Sequence, residues 1–428
     1  MTSALDRRLG LGDAVFIGLG SMIGAGVFAA FAPAARAAGN GLLIGLAVAA
    51  LVAFCNATSS AQLAAVYPVS GGTYVYGRMQ LGPWWGFLAG WSFVIGKTAS
   101  CAAMALTFAA YAAPAGWGRP VAVAAVVAMT AVNYRGVTKT ALATRIIVSG
   151  ALIALAVVIA SGVSTGLPFV GEIVGDGASG FGAGPVGAGL LSGGWYGILQ
   201  SAGLLFFAFA GYARIATMGE EVRAPARTIP AAITIALALT VAIYATVAVC
   251  VLGTVGADAV AGSAAPLALT VREAGWGWAV PVVRVGAAAA SLGALLALIA
   301  GIGRTGLAMA REGDLPRWLA AVHPRFKVPY RAELALAVAV CLLVIGVDLR
   351  GAIGFSSFGV LLYYFVANAA ALTQSREQRR YPRVLQLVGG AGCLALVATV
   401  PPSAITVGVG VLLAGILYRL LAHRSRQP

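Results

Sequence analysis

The chain has 428 residues, of which 60% are hydrophobic and 10% charged, with a mean hydropathy of +0.93. Soluble domains carry roughly 25% charged residues, so this composition excludes an ordinary soluble protein and implies a polytopic membrane protein. The net charge of +15 would suggest a nucleic-acid partner in a soluble chain, but here it raises the question of which side of the bilayer bears the charge.

At roughly 20 residues per span, the apolar runs predict about twelve helices. They lie near 11–35, 42–66, 85–113, 119–133, 142–163, 196–218, 229–254, 280–310, 332–347, 353–372, 384–400 and 405–421. Arg7 and Arg8 precede the first run, yet that run is too long for a signal peptide and many more follow it, so it reads as the first span. Only Arg36, Arg119, Arg272 and Arg350 fall on one side, Lys97 and Arg284 lie within spans, and the other 22 of 28 basic residues share the opposite side with the N-terminus. The positive-inside rule makes that side cytoplasmic, with both termini there, in a multi-pass protein of the cytoplasmic (inner) membrane. The basic charge is thereby explained without nucleic acid. Cys55, Cys101, Cys250, Cys341 and Cys393 lie in apolar runs without metal-ligand spacing and read as small core residues.

Between the second and third spans, Tyr67 to Tyr76 is turn-rich and aromatic, a pattern of interfacial anchoring. The glycine-rich stretch Thr165 to Gly194 reads as an outer covering loop, and no soluble domain is expected. The whole chain, 1–428, is expected to be a single membrane domain.

The first span contains Gly18-Leu19-Gly20-Ser21-Met22-Ile23-Gly24-Ala25-Gly26-Val27-Phe28. Four glycines stand where a membrane helix should be continuous. A broken helix in hydrocarbon leaves backbone groups unpartnered at several kcal/mol each, so a break survives only where it lines a cavity or meets a polar ligand. Gly20 and Gly24 also form the small-xxx-small pattern of close helix packing. The sixth span, through Phe206-Phe207-Ala208-Phe209-Ala210-Gly211-Tyr212, has a second glycine interruption. Interrupted first and sixth helices are what an inverted pair of five-helix repeats produces, with the substrate where the breaks meet. Residues 11–163 and 196–372 are the expected repeats, and 384–421 adds two C-terminal helices. Unwinding is expected at Gly20–Gly26 and at about Ala208–Gly211.

The first helix runs outward, so its outer half presents free amides at about Gly24, Ala25 and Gly26 with the positive dipole end, a seat for an anion. The sixth runs inward, so its outer half ends in free carbonyls from about Phe206 to Ala210, a seat for an ammonium. A carboxylate and an ammonium side by side describe an α-amino acid. Phe207, Phe209 and alanine-rich helices offer apolar walls, and no carboxylate stands ready for a cationic side chain, so neutral amino acids of small to medium size are expected.

These residues resemble the amino acid–polyamine–organocation (APC) superfamily of permeases, which have the LeuT-type fold. The likeness rests on Gly20 to Phe28, on Pro68-Val69-Ser70-Gly71-Gly72-Thr73-Tyr74, on Phe206 to Gly211 with Glu220-Glu221 and Arg227-Thr228-Ile229-Pro230, and on Arg304 with Met309 to Pro316. It covers nearly the whole chain. The resemblance implies that the amides at Gly24, Ala25 and Gly26 take the substrate carboxylate and that the carbonyls of Met22 and of Phe206 to Ala210 take its amine. It also implies that Phe207 is an aromatic gate, and it places Gly20, Ser21, Ile23 and Gly211 in the same site. The chain departs from many members at Ala213, where they have an acidic residue, and near Ala151, where some have a lysine. Proton coupling through that lysine therefore does not carry over.

Lys97 is the ionisable residue at mid-depth, roughly 18 and 24 Å from its span ends at 1.5 Å per residue. A charge there is unfavourable by about 2.5–3.5 kcal/mol on insertion scales, which makes Lys97 a candidate coupling group or a fixed cation standing where sodium sits in related transporters. Glu220, Glu221, Arg223 and Arg304 are candidates for an inner ion-pair gate. Sodium coupling would want hydroxyls on the eighth helix, where only Ser291 offers one, so protons or exchange are favoured. No catalytic constellation, metal-ligand cluster or phosphate-binding loop appears in the sequence, which disfavours an enzyme, a cofactor and ATP-driven transport. The single mid-membrane charge disfavours a channel. A permease for amines or polyamines is the alternative, and no obligate protein partner is evident.

Overall fold

The computed structural model describes residues 9–68, 71–136, 141–168, 186–191, 193–216, 218 and 221–424. The chain is an all-α polytopic membrane protein. Among the described residues, eight helical segments are long and apolar enough to cross a bilayer, and Gly194–Phe209 and Arg383–Thr399 are shorter apolar helices. Among the described residues, extended pairing is limited to one isolated parallel bridge between Leu9 and Val222.

The first span is divided into α1 (Leu11–Met22), α2 (Ala25–Ala29) and α3 (Phe31–Ala38). Then come α4 (Leu42–Val66), α5 (Thr73–Leu81), α6 (Pro83–Ala112), α7 (Gly118–Tyr134) and α8 (Ala141–Ser164). After the short α9 (Val186–Leu191), the sixth span is divided into α10 (Gly194–Phe209) and α11 (Ala213–Ala216). The chain continues through α12 (Pro225–Gly262), α13 (Pro266–Glu273), α14 (Val280–Arg311), α15 (Tyr330–Gly346), α16 (Leu349–Leu372), α17 (Arg383–Thr399) and α18 (Pro402–Arg424). Each of the twelve predicted spans thus falls on a helix or a divided helix. The seventh meets Gly256, at φ 75° and ψ 160°, just past its predicted end at 254, and a further helical stretch to Gly262 follows that kink. Most of the glycine-rich stretch Thr165 to Gly194 lies outside the described residues.

Lipid tails are as apolar as leucine, so hydrophobicity alone does not hold membrane helices together; close packing and polar contacts do. The α6–α16 crossing shows both. A Cβ on Gly359 would stand 2.7 Å from the Gly96 Cα and from the Ser92 carbonyl oxygen, so the backbones meet only because both positions are glycine. One turn on, the hydroxyls of Ser100 and Ser356 are 2.6 Å apart. A second seam joins α4 to α16. Asn368 donates to the Asn56 side chain at 2.6 Å and accepts from Ser59 at 2.7 Å, and Gln62 donates to Gln374 at 2.6 Å. Leu334, Val338, Leu342 and Ile345 of α15, spaced along one helix face, are exposed and suit a lipid-facing surface.

Gly359→Val should lower the folded yield and thermal midpoint in detergent, because overpacking against backbone typically destabilises by about 1–3 kcal/mol. Gly150→Ala, whose Cβ would meet nothing within 4 Å, is the matched control and should leave both unchanged. Equal behaviour of the two variants would remove the crossing from the account.

Candidate functional site

Helix α1 ends at Met22. Ile23 has ψ 58°, Gly24 has φ −104° and ψ −142°, and α2 begins at Ala25. The break is therefore Ile23 and Gly24, narrower than the expected Gly20–Gly26. Gly20 lies in continuous helix, and a Cβ there would run into the Val148 side chain of α8. Its small size serves packing, the second meaning of the Gly20–Gly24 spacing. In the sixth span α10 ends at Phe209 and a turn covers Ala210, Gly211 and Tyr212, slightly later than the expected Ala208–Gly211.

The two breaks lie against each other. A Cβ on Gly26 would be 2.5 Å from the Ala208 Cα, and one on Gly211 would collide with the Ser21 carbonyl and come within 2.6 Å of the Met22 nitrogen. Neither glycine could carry a side chain without prising the half-helices apart. Gly24 is less tightly held, with the Ala294 Cβ 3.1 Å from where its own would be. The hydroxyl of Ser21 donates to the Ile17 carbonyl at 2.8 Å, and Met22 and Ile23 are buried.

The freed backbone groups are largely engaged by protein donors. Tyr244 of α12 places its hydroxyl 2.6 Å from the Met22 carbonyl and 3.2 Å from that of Ala208, so one proton serves both breaks. The Ala210 carbonyl accepts from the Tyr364 hydroxyl and from Lys97 Nζ, each at 3.3 Å. Lys97 is thus buried at the sixth-helix break, on one of the carbonyls expected to hold a substrate amine. The Gly24 amide, expected to face a carboxylate, donates to the Met22 carbonyl at 2.8 Å. Ala25 and Gly26 open α2, where helix geometry gives their amides no intrahelical acceptor.

The aromatic residues divide. Phe207 is buried in a cluster with Ala29, Cys101, Leu204 and Leu295, between α2, α6 and α14. Phe209 packs on Tyr244 at a tilt with centroids 5.2 Å apart, and Phe206 meets Tyr364 edge-on at 5.8 Å, so these two brace the tyrosines that hold the breaks. Ser291 donates to the Ala287 carbonyl at 2.7 Å.

At the end of the bundle that bears most of the basic residues, the proposed gate residues take different places. Glu220 lies outside the described residues. Glu221 and Arg223 pair through their backbones with Leu9, at 3.1 and 2.9 Å, tying the start of α1 to the segment after α11. Arg304 is exposed. The sequence reading missed a network centred on buried Asp314. Asp314 accepts from the Tyr74 hydroxyl at 2.9 Å and pairs with Arg78 at 3.4 Å and with Arg419 at 3.3 Å, while Arg78 also reaches Glu312 at 2.9 Å. Burial and the Asp314 carboxylate push the Tyr74 phenol up, which keeps it a donor. The Arg419 guanidinium lies 4.6 Å from the Trp84 ring centroid and 4.7 Å from that of Phe87, so α18 is pinned to α6. The acidic run Glu312-Gly313-Asp314 was a visible signal, but its partners are hundreds of residues apart in most cases.

A helical membrane bundle whose first and sixth spans break against each other fits a membrane permease. The chain belongs to the amino acid permease family: the family profile with that description matches residues 9–421. It is 58% identical over 428 residues to a protein of Mycobacterium tuberculosis named as an uncharacterized transporter, covering 99% of this chain and 94% of that one. It is 27% identical over 414 residues to the branched-chain amino acid permease BcaP of Bacillus subtilis, covering 90% and 84%. Cationic amino acid transporter 7 of Arabidopsis thaliana, a chloroplastic protein, is 27% identical over 388 residues, covering 85% and 65%.

Gly211→Ala should abolish substrate binding, since its methyl group meets rigid backbone. Gly20→Ala meets only the Val148 side chain, and should keep measurable binding. Isothermal titration on the two purified variants checks the contrast, and full binding by Gly211→Ala would show that the breaks need not touch.

Proposed function

We propose that the protein is a secondary transporter of neutral α-amino acids, working by alternating access across the cytoplasmic membrane. The observation that carries this reading is the contact of the two breaks, Gly26 on Ala208 and Gly211 on Ser21. Residues 11–163 and 196–372 are the two inverted repeats in this reading, and the basic end of the bundle is cytoplasmic. The substrate carboxylate sits at the amides opening α2, around Gly24, Ala25 and Gly26. Its ammonium takes carbonyls of the breaks, among Met22, Phe206, Phe207, Ala208, Phe209 and Ala210, which requires Lys97 or Tyr244 to yield one. Phe207 closes over the site, and Ile23 and Ser21 frame it.

Relatives differ in the substrates their names carry, branched-chain in one and cationic in another. Lys97 favours the neutral kind in this reading. While Lys97 is protonated, as it is when substrate first arrives, a second positive charge brought to about 8 Å from it is disfavoured by about 2 kcal/mol at an effective dielectric of about 20. A zwitterion offsets its ammonium with its own carboxylate; an arginine or lysine side chain does not. A thermal-shift screen of the purified protein against all amino acids and common amines should show stabilisation by neutral amino acids, about 2.7 kcal/mol at a hundredfold excess over Kd. Stabilisation by arginine, lysine or polyamines alone would contradict the reading.

Lys97 is also the coupling group in this account, by protons or exchange and not sodium: it leaves the Ala210 carbonyl when it loses its proton and returns when it regains one. In proteoliposomes, Lys97→Met should lose uptake driven by a pH gradient yet retain exchange of internal for external substrate. Loss of both would make Lys97 a structural or binding residue, and unchanged gradient-driven uptake would remove it from the mechanism.

A further inference from the structure

At the basic end of the bundle, in the first turn of α15, Glu333 is 1% exposed. Its Oε2 has no hydrogen-bond partner among the described residues. The carboxyl lies against Gly303 of α14, where a Cβ would come within 2.9 Å of the Glu333 Cγ and 3.4 Å of Oε1. Any other residue at 303 would fill that niche. Arg304, the next residue, is the charged group that acts on Glu333 electrostatically, but the pair is not in salt-bridge contact.

The charge balance argues for a neutral acid. A buried, unpaired carboxylate is unfavourable by several kcal/mol, and the carboxylic acid form avoids most of that. The opening turn of α15 favours the anion through its dipole, but by only about 0.3–1 kcal/mol. The remaining titratable groups on the elements packed against α15 are engaged elsewhere or exposed, Arg135 after α7 and Arg311 of α14 among the exposed ones. Arg331 on the same helix turns to the Tyr330 hydroxyl at 3.0 Å and the Trp318 carbonyl at 3.5 Å. His323 packs on the rings of Tyr134, Phe326 and Tyr330, and its Nδ1 accepts from the Arg325 and Phe326 amides. Arg317, on the 3-10 turn Arg317–Ala320 that packs on α15, is exposed.

We propose that Glu333 is a proton-binding site of this protein, protonated in the conformation described and emptied when Arg304 swings against it. In the anionic state the guanidinium would supply the partner that Oε2 now lacks. Arg304 directly follows Gly303, the residue against which the Glu333 carboxyl lies, so a change of its side-chain rotamer is all that the exchange requires. The site is separate from Lys97, which lies at the breaks.

The test is infrared difference spectroscopy of the purified, reconstituted protein through a pH titration, with no substrate present. Its outcome is thereby independent of which substrate is carried. The wild type should show the carbonyl band of a protonated carboxylic acid near neutral pH, fading as pH rises and absent in Glu333→Gln. Should that variant fail to fold, wild-type protein grown on carboxyl-labelled glutamate should shift the same band. Arg304→Gln should move the titration upward by about one pH unit, because removing a cation favours the protonated acid. Absence of any Glu333-dependent acid band between about pH 5 and 9, or no label shift, would overturn the proposal; an unmoved titration in Arg304→Gln would overturn the link to Arg304.

Discussion

Everything at the centre of this molecule depends on one demand: backbone freed from a helix inside a membrane must find partners. The chain meets it by setting the two interruptions against each other. Gly26 and Gly211 let the half-helices touch, and Tyr244, Tyr364 and Lys97 donate to the carbonyls of Met22, Ala208 and Ala210. These donors come from α12, α16 and α6, so the surrounding helices are arranged to bring hydroxyls and one ammonium to the breaks. The close α6–α16 crossing at Gly96 and Gly359 is what brings Lys97 and Tyr364 near the same carbonyl.

This arrangement gives the proposed mechanism its economy. A carbonyl held by a protein cation can be handed to a substrate cation with little change in solvation, since neither partner has to be exposed to lipid. A tyrosine hydroxyl spanning two breaks can likewise follow one half-helix if the other moves. At the basic end, the Leu9 pairing ties the start of α1 to the segment after α11, and the Asp314 network ties α5 and the segment after α14 to α18. Exposed pairs of this kind are weak, near 0–1 kcal/mol, whereas Asp314 and Arg419 are buried and would be strongly penalised if separated.

Span positions were legible in the sequence because hydrophobic run length is a direct reading of bilayer thickness: Leu42–Val66 falls on its predicted 42–66. The breaks were legible in kind and less so in extent. Gly20 and Gly26 look alike in sequence, but one packs on a side chain of α8 and the other on backbone of α10, and only the fold distinguishes them. Depth along the span placed Lys97 near the breaks, while its choice of the Ala210 carbonyl required the angle at which α6 crosses. Glu333 escaped notice because it stands near the end of its span, where charge is ordinarily solvated; the glycine that buries it is 30 positions away in the chain. The Asp314 network was hidden for the same reason, its arginines coming from α5 and α18.

The central claim is that a substrate's carboxyl group lies at the start of α2, between the broken helices. A solid-state magnetic-resonance distance measurement tests it most directly, pairing substrate labelled with carbon-13 at the carboxyl with protein labelled with nitrogen-15 at glycine and alanine amides. The account predicts dipolar contact at roughly hydrogen-bonding range, lost on addition of excess unlabelled substrate and absent in Gly26→Val. Bound substrate showing no contact with any labelled amide would contradict it.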